Sequence, residues 1–138
     1  MKNRVAQTAS IAALVLALVL APAALAGKGR GGGNTGPTGS FSLVLLNSTD
    51  GVPHYGQDVT FNVTSGVYHP MVTLTCYQAG VSVKNQSVGF YPGWPWSQVF
   101  PLSSYKWPGG AADCHAKLYY QTKRGEKILA TMSFHVYA

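Results

Sequence analysis

At 138 residues the chain is long enough for one packed domain and too short for two. Charged residues are scarce (10%) while Gly, Pro, Tyr and Trp are plentiful, which suits short strands joined by turns and argues against helices. The formal net charge of +6 includes Lys2, Arg4, Lys28 and Arg30 near the start; the remaining six cations and four carboxylates leave +2, a solvated surface and not a nucleic-acid footprint.

The chain opens with the basic residues Lys2 and Arg4, an unbroken apolar run over 11–21, and Ala24-Leu25-Ala26, which fits the small-x-small cleavage rule. These three parts in this order predict a signal peptide over 1–26 and a secreted, extracellular protein with no membrane anchor after cleavage. The apolar run is shorter than the roughly 20 residues of a membrane-spanning helix. Residues 27–39, GKGRGGGNTGPTG, contain nothing to bury against the entropy that glycine loses on folding, so they read as a flexible Gly-rich leader. The folded part is expected over 40–138.

Phe41 to Leu46 reads as a first strand, and Ser48-Thr49-Asp50-Gly51 as a turn. Asp58 to Thr64 alternates, with Val59, Phe61 and Val63 on one face. Met71 to Gln78 alternates again, with Val72, Leu74 and Cys76 on one face and Thr73, Thr75 and Tyr77 on the other. Ala79-Gly80 is a tight turn into Val81-Ser82-Val83. In the long stretch 85–110, Ser87 to Tyr91 and Ser97 to Leu102 are expected strands with a Pro-aromatic corner between them, because a structureless loop of that length does not suit a compact domain. Ala112 to Gln121 places Cys114, Ala116, Leu118 and Tyr120 on one face and Asp113, His115, Lys117 and Tyr119 on the other. After a turn at Lys123-Arg124-Gly125-Glu126, Ile128 to Val136 sends Ile128, Ala130, Met132, Phe134 and Val136 inward. Period-two alternation in short, evenly spaced segments predicts an all-β sandwich of about seven strands.

Two cysteines in an exported chain predict one disulfide, Cys76 to Cys114, both at inward positions. Closing a loop of that length is worth about 4 kcal/mol by chain entropy.

Gly56-Gln57-Asp58-Val59-Thr60-Phe61-Asn62-Val63-Thr64, followed by a cysteine strand, then Ala112-Asp113-Cys114 and a closing hairpin, resembles bacterial immunoglobulin-like domains over roughly 41–138. If Asp58 to Thr64 is strand B, the bridge joins strands C and F of one sheet, whereas in antibody domains it joins B to F across the core. The antibody tyrosine two residues before the second cysteine is replaced by Ala112. The resemblance implies an adhesion, scaffold or ligand-presenting module with no enzyme activity.

The residues themselves carry no paired acids, no G-x-S-x-G and no H-E-x-x-H, so neither catalysis nor a cofactor is expected. A turn near Gly125 sets His115 opposite His135, and a slip of two residues sets Asp113 opposite His135; either pairing makes Asp113, His115 and His135 a candidate metal set. The aromatic set Tyr91, Trp94, Trp96 and Trp107, with Tyr105, is the candidate ligand site, since exposed rings stack on sugars. A second candidate surface is the outer face around Tyr77, His115, Lys117 and Tyr119. The expected function is a monomeric, non-catalytic binding or adhesion module for a polysaccharide or an extracellular protein, without nucleic-acid binding. The alternative is a structural or surface-coating protein without a specific ligand.

Overall fold

The alternating segments fold as strands. The computed structural model describes residues 36–138; the expected signal peptide and leader residues 27–35 lie outside them. Its strands are β1 (Gly39–Leu45), β2 (Asp58–Ser65), β3 (Met71–Gln78), β4 (Val81–Gly89), β5 (Phe100–Pro101), β6 (Ala112–Thr122) and β7 (Gly125–Val136). They form two antiparallel sheets, β1-β2-β5 and β4-β3-β6-β7. Val59, Phe61 and Phe100 from the first sheet bury against Val72, Leu74, Cys76, Cys114, Ala116 and Leu118 from the second, which makes the protein a β-sandwich. Burying each of these Val, Leu and Phe side chains is worth about 1.5–3 kcal/mol.

Cys76 and Cys114 lie directly opposite each other in the β3/β6 ladder, with Cα atoms 4.0 Å apart and the sulfurs bonded. The bridge therefore joins neighbouring strands of one sheet. The β3–β4 turn has positive φ at both central residues, Ala79 (48°) and Gly80 (78°), the backbone of a tight hairpin whose twist matches its strands.

The edge strand β4 is stitched to the facing segment by side chains. Gln86 Nε2 donates to the Val99 carbonyl (3.0 Å), Gln98 Nε2 to that of Gly89 (2.9 Å), and Lys84 Nζ to that of Ser103 (3.3 Å). Ser104 Oγ also donates to the Val83 carbonyl. Lys84 pairs across from Cys76, so it points inward; burial pushes its pKa down and the nearby Asp58 partly restores it. An inward charge on an edge strand deters pairing with another chain.

Three expectations are corrected. The first strand begins at Gly39, two residues earlier than expected; a Cβ on Gly39 would press on Leu118 and Leu129 at 3.0 Å. The two strands expected in 85–110 become the end of β4 and the two-residue β5. In the last hairpin, a bulge at Leu118/Tyr119 shifts the register: Leu129 packs on the core and Ile128 turns outward, 59% exposed. An inserted residue flips the faces of all that follow it toward the turn. The same register sets Asp113, not His115, opposite His135.

The far end of the sandwich is closed by a latch. Tyr137 exchanges backbone hydrogen bonds with Pro53 and Tyr55 (2.9 and 2.8 Å) in a parallel bridge. His54 holds Asp50 through Nε2 (2.7 Å) and the Ala138 carbonyl through Nδ1 (3.1 Å). The His54 hydrogen bond, aided by the Val52 N–H, pulls the Asp50 carboxyl down from 3.8 to about 2, and the same carboxylate raises the His54 pKa above its ordinary 6.5. The Asp50 contribution is complete above 3.8 and lost as pH falls through about 2, while that of His54 is complete below 6.5 and lost as pH rises through its raised value. The latch is thus strongest from 3.8 to 6.5. Thermal melts should show the wild type losing stability relative to His54→Ala as pH rises above 6.5 through the raised His54 value; parallel profiles would refute the latch.

Candidate functional site: an aromatic rim

At the opposite end of the sandwich, β4 finishes at Gly89 and the chain turns through Tyr91-Pro92-Gly93-Trp94. Proline follows Tyr91, Gly93 has φ +89°, and Trp94 N–H donates to the Tyr91 carbonyl (3.2 Å), the arrangement of a type II turn. The turn brings the Tyr91 and Trp94 rings together over Gly89, which has no side chain to obstruct them; a Cβ there would overlap both rings. Phe90 N–H donates to the Pro70 carbonyl (2.9 Å), which draws the β2–β3 loop alongside.

The result is a continuous series of edge-to-face rings. Tyr68 meets His69 at 4.6 Å between centroids, His69 meets Tyr91 at 4.5 Å, Tyr91 meets Trp94 at 5.6 Å, and Trp94 meets Trp96 at 4.9 Å. The two ends are open to solvent, Tyr68 at 86% and Trp96 at 70%, while Tyr91 and Trp94 are half-buried. Beside the series runs a groove of about 330 Å³, lined by Val67, Tyr68, His69, Met71, Tyr91, Tyr120 and Gln121. Trp94 Nε1 is buried and, alone among the buried side-chain donors and acceptors described, has no hydrogen-bond partner.

Of the expected ligand set, Tyr91, Trp94 and Trp96 are brought together. Trp107 is not with them: it is a core residue, 2% exposed, its Nε1 donating to the Gly110 carbonyl (3.1 Å) and its ring set against Tyr55 at the latch end. Tyr105 projects into solvent from the same loop. Tyr68, His69 and Tyr120 were not foreseen as members. Their signal was topological: the β2–β3 turn and the end of β6 must share an end of the sandwich with the end of β4.

The candidate metal set is joined in part. His135 Nδ1 lies 2.7 Å from Asp113 Oδ1, but His115 turns its Nδ1 to Ser133 Oγ (2.6 Å). No group of three His, Cys, Asp or Glu side chains able to hold a metal exists among the described residues. The outer face of the larger sheet carries a groove of about 360 Å³ between Tyr77, His115 and Lys117. Three of its polar side chains are engaged: Lys117 Nζ reaches Glu126 (2.6 Å) and lies over the Tyr119 ring (5.0 Å), His115 is bonded to Ser133, and Thr73 to Ser87; Tyr77 meets the His115 ring edge-on. A ligand there would compete with the Lys117–Glu126 and His115–Ser133 contacts, whereas at the rim the Tyr68 and Trp96 rings are exposed.

The chain matches no protein-family model, and no curated protein or solved structure is similar to it at a significant level.

Gly89→Ala should cost about 1–3 kcal/mol, the range for forcing extra volume into a packed site, and should weaken the near-ultraviolet circular dichroism of the tryptophans. An unchanged spectrum and melting temperature would show that the rings do not rest on Gly89.

Proposed function

We propose that this chain is an exported, non-catalytic binding module of immunoglobulin-like architecture that holds a polysaccharide on its aromatic rim. The carrying observation is the unbroken ring series from Tyr68 to Trp96 with both ends exposed. A pyranose presents an apolar face of C–H groups to such rings and hydroxyls around its edge, so it suits a groove that is apolar along its walls and polar at Gln121 and His69.

The strand order supports the immunoglobulin-like reading. With β2 as strand B, the sheets run A-B-E and C′-C-F-G, and the 53–55 segment runs parallel to the end of the last strand, as a first strand that switches sheets would. The buried disulfide supports an oxidising, extracellular compartment. A non-catalytic role rests on the sequence, which carries no paired acids, no G-x-S-x-G and no H-E-x-x-H.

Affinity electrophoresis through gels holding a panel of polysaccharides tests this reading. At least one polymer should retard the protein, and Trp96→Ala or Tyr68→Ala should weaken retention roughly ten- to thirtyfold, the loss expected for a binding aromatic worth about 1.4–2 kcal/mol. Tyr105→Ala, an exposed ring at the other end, should change nothing. No retention by any polymer, or equal retention of all three variants, would defeat the proposal.

A further inference from the structure

The four carboxylates of the folded part are unevenly placed along the sandwich, and the cations stand at both ends, Lys84 and Lys106 toward the latch. Asp50, Asp58 and Asp113 all sit at the latch end, in the loop before β2, at the start of β2 and near the start of β6. The rim end carries the β6–β7 hairpin, with Lys123, Arg124 and Lys127. Its one carboxylate, Glu126, is already held by Lys117. None of Lys123, Arg124 and Lys127 has a carboxylate partner among the described residues, where the ion pairs are Asp50–His54, Lys117–Glu126 and Asp113–His135.

The register places one of these cations beside a residue of the groove wall. Lys127 stands directly opposite Tyr120 in the β6/β7 ladder, and directly opposed residues share a face of the sheet with Cβ atoms about 5 Å apart. Tyr120 and Gln121 line the aromatic groove. Lys123 and Arg124 follow at the exposed hairpin tip, two residues beyond Gln121. A ring-lined groove thus opens beside three cations free to accept an anionic partner.

Resting on the polysaccharide reading above, we propose that the rim selects an acidic polysaccharide, its sugar rings on the Tyr68–Trp96 series and its anionic groups, carboxylate or sulfate, on Lys127 and Arg124. Free cations at a binding edge steer and select more than they add raw affinity, and their effect is screened by salt over a Debye length of about 8 Å at physiological strength. A single-stranded nucleic acid offers the same combination of rings and charge, but it is held by a basic groove that tracks its backbone, whereas here the free cations at the rim are confined to one hairpin.

The test measures binding of the full mature chain to polygalacturonate (carboxylate), dextran sulfate (sulfate), dextran (neutral) and oligothymidylate. At least one acidic glycan should bind tenfold or more tighter than dextran and than oligothymidylate, and that preference should collapse at about 0.5 M salt. The exposed double variant Arg124→Gln/Lys127→Gln should keep the wild-type melting temperature and lose the acidic preference. Trp96→Ala should weaken acidic and neutral glycans alike. Equal binding of acidic glycans and dextran, binding of dextran alone, or a preference that survives the double variant would overturn this inference and leave the polysaccharide reading standing. Oligothymidylate bound as tightly as the better-bound acidic glycan would overturn the assignment to glycans. Binding of no polymer would remove the underlying reading with it.

Discussion

The direct opposition of Cys76 and Cys114 is the constraint on which the rest of the structure depends. Both side chains are fully buried in the two central strands of the larger sheet, toward the latch end, and the covalent bond between them fixes the β3/β6 register. A one-residue slip would turn every inward side chain of β6 to solvent. With that register held, Met71 falls opposite Tyr119 at one end and Tyr77 opposite Asp113 at the other. The loops that leave these strands are thereby delivered to known ends of a small sandwich, where a bridge closing a long loop contributes several kcal/mol to a thin margin, about 4 by chain entropy.

The two ends have been put to different uses. The latch end is occupied with its own closure: His54 holds Asp50, Tyr137 pairs with Pro53 and Tyr55, Trp107 donates to Gly110, and Lys84 bonds across to Ser103. The rim end is built to leave rings uncovered. Gly89 supplies the flat seat, Pro92 and Gly93 supply the turn, and the Phe90–Pro70 hydrogen bond brings a second loop into line. Exposed aromatic surface carries a solvation cost, so its persistence in one contiguous series is more informative than scattered exposed rings.

Much of the fold was legible in the sequence because the apolar alternation of β2, β3 and β6 is uninterrupted; β3 runs over Met71–Gln78 as its pattern predicts. What was not legible follows from tertiary effects. The bulge at Leu118/Tyr119 inserts a residue without altering composition, so Leu129 and Ile128 exchange faces. The segment around β5 is held by a short backbone pairing with β2 and by side-chain bonds that involve Gln86, Gln98 and Lys84, which no periodicity encodes. Trp107 resembles Trp96 in sequence context, since both stand beside proline, but lies in the core because Gly110 and Tyr55 give its ring and N–H a home. The rim itself was half visible: the Tyr91-Pro92-Gly93-Trp94-Pro95-Trp96 run marks it, while Tyr68, His69 and Tyr120 join through topology alone.

The claim that the ring-bearing end is where this sandwich meets its ligand is tested most directly by amide hydrogen exchange, with and without the best-retained polysaccharide. In the free protein the slowest amides should lie in β3 and β6, around the bridge. With ligand, added protection should be confined to residues 66–71, 89–98 and 119–127. Protection centred on 113–117 and 131–135 instead, with the ring-bearing loops unchanged, would contradict the account and move the binding surface to the outer face of the larger sheet.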